Sequence, residues 1–280
     1  MNVHYFLCSA VVSLLLFGCK PADTQSSSVQ VKDTPTKVAE TPAVPKAKPC
    51  QFRLGFESWE PYQYVGLEQQ ASGLDIEIVQ AVAGRMNCTL VMQHGTWQDL
   101  LGLFRQGQLE LLLGASKTPA REEFALFSEP YRAEQFQLFA RKEDAAQYNF
   151  DSVAQMVAAK HKVGLISGYY YGEQISTLYS DEQMRPYFVE STMSEQNIAV
   201  LLDEQVDAVL EDSFVGAAII RRKGLEQQVQ ALDIKLEETP IYLMFSKATV
   251  QPEQVIAFNQ ALQQLKDSGD YQQLINKYQN

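Results

Sequence analysis

Residues 109–121 read LELLLGASKTPAR. The apolar run Leu109–Leu113 is typical of a buried strand, and a turn of small residues follows it. Thr118 suits a helix N-cap and Pro119 suits the first helical position. The stretch therefore predicts a strand, a tight turn and a helix that carries Arg121 in its first turn.

Two interpretations fit this turn. Free backbone N–H groups, the positive end of a helix dipole, the Ser116 hydroxyl and the Arg121 guanidinium would form a receptor for a carboxylate or another small anion. An ordinary strand–helix turn, in which Arg121 pairs with a neighbouring Glu, needs no ligand at all. The stretch alone does not separate the two.

Strand patterns alternate with helix patterns on both sides of this turn. The predicted strands of the first unit are Phe52–Phe56, Thr89–Met92 and Leu109–Leu113, with helices near 74–86 and 97–106 between them. A second unit of the same kind begins near residue 143, with strands at 162–166 and 206–210. This order predicts an α/β fold of two lobes, each a mostly parallel sheet flanked by helices.

The two lobes have predicted boundaries and a predicted hinge. Lobe 1 comprises residues 50–141 with 238–280, and lobe 2 comprises residues 142–237. Two strands, near Gln137–Arg141 and Ile241–Ser246, join them as a hinge. Because ligands of open α/β sheets bind beyond the carboxyl ends of the strands, the cleft between the lobes is the expected binding site.

The first 49 residues predict export rather than a folded domain. Residues 5–17 are almost wholly apolar, as in a signal-peptide core, and they lead into Leu16-Phe17-Gly18-Cys19. This ending resembles the lipobox of bacterial lipoproteins, which implies a signal peptide at 1–18 and a lipid on Cys19. An uncleaved anchor is the alternative, and it also places the chain outside the cytoplasm.

The segment that follows has the composition of a tether. Residues 19–49 are rich in Pro, Thr, Ser, Lys, Ala and Val and contain no aromatic residue. Such a composition cannot bury a core. Lys20 after the cysteine resembles the pattern sorted to the outer membrane where an organism has two membranes.

The chain has four cysteines, and two of them predict a disulfide. Cys8 leaves with the signal peptide and Cys19 carries the lipid, so Cys50 and Cys88 remain. An oxidising compartment favours a bridge between them, with two free thiols as the alternative.

The charge and histidine content exclude several classes of partner and cofactor. A net charge of −11 with acidic and basic residues mixed argues against nucleic-acid binding. His4, His94 and His161 are the three histidines, and none lies in a metal-binding or triad motif. We therefore expect no metal and no cofactor.

Asp212 offers a partner for Arg121 in the second lobe. It follows the predicted strand 206–210 after one residue, so it lies at a strand end. Arg121 and Asp212 would place a cationic and an anionic anchor across the cleft, which matches an α-amino acid. The alternative role for Asp212 is the N-cap of a helix from Ser213.

Eight stretches, in order and at family spacing, carry a resemblance. They are Gly55–Tyr62, Ser72–Glu77, Trp97–Glu110, Gly114–Arg121, Phe127–Tyr131, Val163–Gly168, Val206–Asp212 and Phe258–Tyr278. From Phe52 to Asn280 the chain resembles the family 3 extracellular solute-binding proteins, the polar amino-acid receptors of ABC importers. The resemblance implies a type II periplasmic-binding-protein fold.

The resemblance also implies roles for individual residues. Arg121 would hold the ligand carboxylate, with help from Ser116 and the backbone at Gly114 and Gly168, and Asp212 would hold the ammonium. The ligand-contacting aromatic residue is Trp59, with Tyr62 nearby, and Glu57 lies near a position that contacts the ligand side chain. Many members have Thr or Ser where this chain has Tyr169, and we expect one ring of the Tyr169–Tyr171 run to face the cleft.

The predicted function is capture of a small ligand, most simply an amino acid, for ABC import. The expected partners are that ligand, an ABC permease and a membrane reached through the lipid anchor. The protein would be a monomer in the periplasm, anchored to the outer membrane in a Gram-negative organism. The alternatives are a sensor or scaffold lipoprotein without an importer, and a dehydratase-like enzyme on the same fold.

Overall fold

A computed structural model describes residues 50–279 of the 280-residue chain. The predicted signal peptide at 1–18, the lipidated Cys19 and the tether at 19–49 lie outside the described residues. Within the described range, no helix has the length and apolar character needed to cross a membrane.

Strands and short helices alternate along the described chain. The strands are β1 Cys50–Phe56, β2 Tyr64–Val65, β3 Ala71–Ser72, β4 Cys88–His94, β5 Leu111–Ala115, β6 Ala125–Phe127, β7 Arg132–Glu134, β8 Phe136–Arg141, β9 Val163–Ile166, β10 Phe188–Ser191, β11 Ala208–Asp212, β12 Val229–Lys235 and β13 Thr239–Ser246. The α-helices are α1 Leu74–Arg85, α2 Trp97–Arg105, α3 Pro119–Glu122, α4 Val153–Ala158, α5 Glu173–Ser180, α6 Ser194–Leu202, α7 Ser213–Lys223, α8 Pro252–Asp267 and α9 Asp270–Gln279.

Two sheets organise these elements. The first has the order β4-β1-β5-β13-β6, with β7 also paired to β13, and the second has the order β10-β9-β11-β8-β12. In each sheet three neighbouring strands run parallel, the fourth strand, β13 or β8, runs antiparallel to them, and the fifth, β6 or β12, pairs antiparallel with that fourth strand. The predicted α/β fold is confirmed. We call the part built on the first sheet lobe 1 and the part built on the second sheet lobe 2.

The chain crosses between the sheets at Gln135 and again at residues 236–238. The two crossings hydrogen-bond to each other. The Gln135 side chain donates to the carbonyl of Leu236 over 3.2 Å, and the Leu236 amide donates to the carbonyl of Phe136 over 2.9 Å. Both crossings precede the strand segments that the sequence assigned to the hinge. The predicted lobe limits remain predictions, and β8 pairs in the second sheet.

The predicted disulfide between Cys50 and Cys88 is confirmed. β1 and β4 run parallel with these two residues opposite each other, and their Cα atoms are 4.5 Å apart. This separation lies within the range that a disulfide spans without backbone movement. The bridge ties together the starts of two neighbouring strands of lobe 1.

The strand that leads to Arg121 lies two residues later than predicted, at Leu111–Ala115. Gly114 therefore belongs to the strand and not to the turn. Its φ of +66° is the conformation that glycine adopts without strain, and an added Cβ would lie 3.0 Å from the Gln63 side chain. The backbone can then pair Ala115 with β13 and still direct the following turn into the cleft.

Candidate functional site

A small buried cavity lies where the two lobes meet. It is lined by Glu57, Trp59, Trp97, Gly114, Ser116, Arg121, Glu134, Phe136, Tyr169 and Tyr170. Its volume of about 20 Å³ is close to the room that a single water molecule needs. Of the nine residues predicted to bind ligand, it brings together Glu57, Trp59, Gly114, Ser116, Arg121 and Tyr169.

Arg121 is buried in this cavity and forms no ion pair with an acidic residue of the described chain. Thr118 caps the short helix α3 by accepting the Arg121 amide over 3.3 Å, as its sequence position predicts. The guanidinium donates to the carbonyl of Ser116 over 2.8 Å and to that of Gly168 over 3.1 Å. Burial lowers the pKa of Arg121 to about 10.

The neighbouring glutamate does not pair with Arg121. Glu122 forms its ion pair with Lys117 instead, at 3.0 Å. Among residues 50–279, no Asp or Glu forms a salt bridge with Arg121. The ordinary-turn interpretation, which paired this arginine with a neighbouring Glu, is therefore wrong on that point.

Glu57 and Tyr169 connect the lobes across the cavity. The Tyr169 hydroxyl donates to the Glu57 carboxylate over 2.6 Å, and the tyrosine ring lies edge-on to Trp59 and Trp97 at 6.0 and 6.1 Å. Burial raises the pKa of Glu57 to about 7, against the opposing hydrogen bonds from Tyr169 and the Trp97 backbone. The carboxylate has no basic partner within the described residues.

Two rings of the Tyr169–Tyr171 run face the cavity, where the sequence predicted one. Tyr169 and Tyr170 both line the cavity. Tyr171 is buried inside lobe 2, where its hydroxyl accepts the Ile166 amide over 2.7 Å and its ring lies 4.5 Å from Phe136. The bond to Ile166 fixes only Tyr171 against the lobe, which leaves two rings for the cleft.

The two glycines predicted to bind a carboxylate through their backbones already have partners. The Gly114 amide donates to the Tyr131 hydroxyl over 3.0 Å. The Gly168 carbonyl accepts from Arg121 and from the Trp97 indole, each over 3.1 Å. Gly168 thus contributes an acceptor that orients Arg121 across the cleft.

The two aromatic residues predicted beside the ligand pack against each other, with ring centroids 5.2 Å apart, but they line different cavities. Trp59 lines the cavity with Arg121, and its indole N–H has no hydrogen-bond partner in the described structure. Tyr62 lines a separate cavity of about 420 Å³, and its ring lies 3.8 Å beneath Arg132. The structure therefore brings only Trp59 to Arg121.

Asp212 ends β11 and caps α7. Its Oδ1 atom accepts the amides of Phe214 and Val215 over 2.9 and 3.1 Å, so the N-cap interpretation is correct for this oxygen. Its Oδ2 atom is buried without a described hydrogen-bond partner. Burial raises the pKa of Asp212. Asp212 does not line the cavity that contains Arg121.

Sequence reasoning missed Glu134, which lines the cavity with Arg121 as a second acid beside Glu57. One carboxylate oxygen lies 3.8 Å from Arg132 and has no hydrogen-bond partner in the described structure. Burial raises the pKa of Glu134 to about 8. A signal was present: Arg132 and Glu134 alternate around Ala133 in a strand, which places two opposite charges on one face just before a buried strand.

Arg132 and Trp97 also had no assigned role. Arg132 forms a bidentate ion pair with Asp75, with N–O distances of 2.8 and 3.1 Å. Trp97, the first residue of α2, lies 5.0 Å below the Arg121 guanidinium. Among residues 50–279, no group of three or more His, Cys, Asp or Glu is arranged to hold a metal ion.

Two α/β lobes enclosing a buried, polar cavity define a ligand-binding protein of the type II periplasmic-binding-protein class. The family model of the bacterial extracellular solute-binding proteins, family 3, matches residues 52–280. The chain belongs to this family. A search of curated proteins gave no significant match.

Solved structures share the fold at low sequence identity. A histidine kinase sensor domain similar to periplasmic binding proteins aligns with a TM-score of 0.72 at 17% identity, over 82% of this chain and 96% of that chain. AbpA from Streptococcus pneumoniae, an amino acid ABC transporter substrate-binding protein solved with bound L-arginine, aligns with a TM-score of 0.68 at 24% identity. The alignment covers 81% of this chain and 94% of that chain. The ancestral amino-acid-binding protein AncCDT-1, a precursor of cyclohexadienyl dehydratase, aligns with a TM-score of 0.67 at 22% identity, over 81% and 95%.

Proposed function

We propose that this protein captures an amino acid between its lobes and delivers it to an ABC importer. The proposal rests on three polar groups of the cavity that have no partner of the matching kind among the described residues. They are the buried Arg121 guanidinium, which has no carboxylate beside it, the buried Glu57 carboxylate, which has no cation beside it, and the Trp59 indole N–H, which has no acceptor. Because buried polar groups are costly when unpaired, such a set favours a ligand that completes it.

The orientation of the ligand follows from the charges. Its carboxylate would meet Arg121 and the Ser116 hydroxyl, and its ammonium would lie toward Asp212. The ligand would pack against Trp59. The side chain would extend toward Glu57, whose unpaired carboxylate favours a basic group there, and L-arginine is bound in the solved AbpA structure.

Ligand entry requires the lobes to separate. A cavity of about 20 Å³ admits no amino acid, and three contacts close it: Tyr169 to Glu57, Arg121 to the Gly168 carbonyl, and Gln98 to the Ser167 hydroxyl over 2.8 Å. Opening at the crossings near Gln135 would break these contacts. A ligand then favours reclosure only through contacts that are better in the closed state.

The test is calorimetry on the tightest binder from a thermal-shift screen of the amino acids. A tight ligand raises the free energy of unfolding by about 3–4 kcal/mol at 100–1,000 times its Kd. We expect Arg121→Ala to weaken binding by about 100-fold or more, because the ligand carboxylate loses its charged partner. Arg185→Ala, at an exposed arginine of lobe 2, is the matched control. An unchanged affinity in Arg121→Ala would refute this site.

Import, the lipid anchor on Cys19 and the periplasmic location are parts of this proposal that other experiments test. Loss of labelled amino-acid uptake after deletion of the gene would support import. Unchanged uptake would favour the sensor or scaffold alternative. Mass spectrometry of the bound ligand after incubation tests for turnover, and a chemically altered ligand would establish the dehydratase-like alternative. Acylation at Cys19 is read from the mass of the mature N-terminal peptide.

A further inference from the structure

Carboxyl groups outnumber guanidinium groups in the buried interior of the described chain. Five acidic residues are buried: Glu57, Asp75, Glu134, Glu211 and Asp212. Their buried basic counterparts in the same range are Arg121 and the Arg132 side chain, which is 4% exposed. A buried charge is costly unless it is paired or neutralised. The interior therefore has an excess of negative charge to compensate.

Two of these acids are fully accounted for by partners inside the protein. Asp75 pairs with Arg132 through both carboxylate oxygens. Glu211 accepts from the Ser194 hydroxyl over 2.8 Å and from the Asn197 amide over 2.9 Å. Neither residue lines the cavity that contains Arg121. Their roles are structural.

Glu134 and Asp212 each leave one oxygen without a described partner, but only Glu134 reaches the cavity. The two residues are close in the fold. The charge of Asp212 acts on Glu134, and the residue after Asp212 bonds to the residue after Glu134: the Ser213 amide and hydroxyl donate to the Gln135 carbonyl over 3.0 and 2.8 Å. Asp212 is held by its cap of α7, so of these two acids Glu134 is the one whose free oxygen is available to a molecule beside Arg121, while Glu57, which also lines the cavity, accepts from Tyr169.

We propose that Glu134 contacts the ligand's ammonium group directly and selects ligands that carry a cation next to their carboxylate. This inference rests on the proposed function of the cavity. Arg121 and Glu134 line a single small space, and their charges match the two ends of an α-amino acid. Asp212 does not line the cavity, but its charge acts on Glu134 and strengthens the negative field there.

The surroundings of Glu134 make it responsive to an arriving cation. It faces Arg132 at 3.8 Å and also feels the charges of Asp75, Asp212 and Arg121. Its pKa of about 8 means that it is largely protonated near neutral pH in the empty cavity. An ammonium group beside it stabilises the ionised form, so binding should release close to one proton at about pH 7.

The experiment compares four proteins with two probes. The probes are the tightest amino acid from the screen and its deamino acid, which has the same carboxylate and side chain but a hydrogen in place of the ammonium. The proteins are the wild type, Glu134→Gln, Asp212→Asn and Glu211→Gln. Glu211 is the matched control because burial also raises its pKa to about 8, while its hydrogen bonds are complete.

We expect Glu134→Gln to weaken the amino acid by about 10- to 100-fold and to change the affinity of the deamino acid by less than about 3-fold. Asp212→Asn should weaken the amino acid less than Glu134→Gln does, and Glu211→Gln should leave both affinities unchanged. Calorimetry in buffers of different ionisation heat should show proton release on binding to the wild type, and this release should fall by close to one proton in Glu134→Gln, while any release from Glu57 persists.

Three results would overturn the inference while leaving the proposed function intact. They are an unchanged amino-acid affinity in Glu134→Gln, an equal loss for both probes, or the same proton release in the variant as in the wild type. Urea unfolding checks that Glu134→Gln is folded. The difference in proton release between the amino acid and its deamino acid on the wild type tests the inference without any variant, because the two probes share the side chain that would act on Glu57. If no amino acid binds the wild type, the proposed function itself fails, and this inference fails with it.

Discussion

Arg121 and Arg132 are both buried arginines at the meeting of the lobes, but their partners differ. Arg132 forms a bidentate ion pair with Asp75, and its guanidinium lies over the Tyr62 ring. Arg121 donates to two backbone carbonyls and lies near the Trp97 ring. The charge of Arg132 is therefore neutralised by Asp75 within the protein. The charge of Arg121 is not neutralised by an acid of the described chain, so it is available to a ligand.

This difference separates a structural arginine from a ligand-binding one. A buried ion pair whose hydrogen bonds are complete holds parts of the protein together and has little to offer a ligand. A buried guanidinium held only by carbonyls is oriented but not neutralised, and burial lowers the pKa of Arg121 accordingly. We therefore expect substitution of Arg132 to act on folding and substitution of Arg121 to act on binding.

The largest effect is expected for Arg132→Met. This change leaves Asp75 buried without its cation and removes the positive charge nearest Glu134. We expect the free energy of unfolding to fall by about 3–5 kcal/mol, because removal of one partner strands the other charge in the interior. Urea or guanidinium unfolding, followed by circular dichroism, measures the change.

The control for this prediction is the exposed pair between Arg53 and Glu110, where the arginine side chain is 45% exposed. Arg53→Met should cost about 1 kcal/mol or less, since solvent screens the charges. A loss in Arg132→Met no larger than the loss in Arg53→Met would show that burial of the Asp75 pair contributes little. The proposed structural role of Arg132 would then be wrong.

The sequence predicted the fold because its signals are local and repeated. Apolar runs such as Leu111–Leu113 and the Thr118-Pro119 cap each act within a few residues, and both occur in the structure. The strands β7 and β12 were among those that the sequence did not predict. β7 has three residues and β12 mixes buried and exposed positions, so neither gives an apolar run that a sequence pattern detects.

The site was predicted in part, for a physical reason. Arg121 lies in a strand–turn–helix motif that is visible in the sequence. Glu134 is a candidate only because the fold buries it beside Arg121, 13 positions earlier in the chain. The partners of Gly114 and Gly168 are set by packing between distant segments. Charge pairing across a cleft is a tertiary property, so sequence alone could not tell which arginine would be left unpaired.

An intermediate effect is expected from pH. Burial raises the pKa of Glu57 to about 7 and the pKa values of Glu134 and Glu211 to about 8, from an ordinary value of 4.5. The folded protein then holds protons that the unfolded chain has lost, so the contribution of these three groups to stability is full below pH 4.5 and falls as pH rises toward 8. The loss should be at least a few kcal/mol, because each pKa unit corresponds to about 1.4 kcal/mol and each of these three pKa values is raised by more than two units.

This pH dependence also tests whether the buried carboxyl groups of Glu57, Glu134 and Glu211 are protonated in the folded protein. Urea unfolding of the ligand-free protein across this range should show stability decreasing with pH, and Glu134→Gln should flatten the decrease. Stability that rises over the same range would mean that these carboxyl groups are ionised in the folded state. In that case Arg121 and Arg132 would neutralise more of the negative charge of these buried carboxyl groups than their contacts suggest.

The smallest change in stability is expected for Arg121→Met. Methionine fills much of the space of the arginine stem, and the substitution removes a buried charge that has no acidic partner in the described structure. We expect the free energy of unfolding to change by about 1 kcal/mol or less, or to increase, while amino-acid binding is lost. Arg132→Met is the matched control, since the residue types and the degree of burial are alike and only the ion pair differs. A loss in Arg121→Met as large as in Arg132→Met would show that both arginines are structural, and the unpaired charge would no longer argue for a ligand.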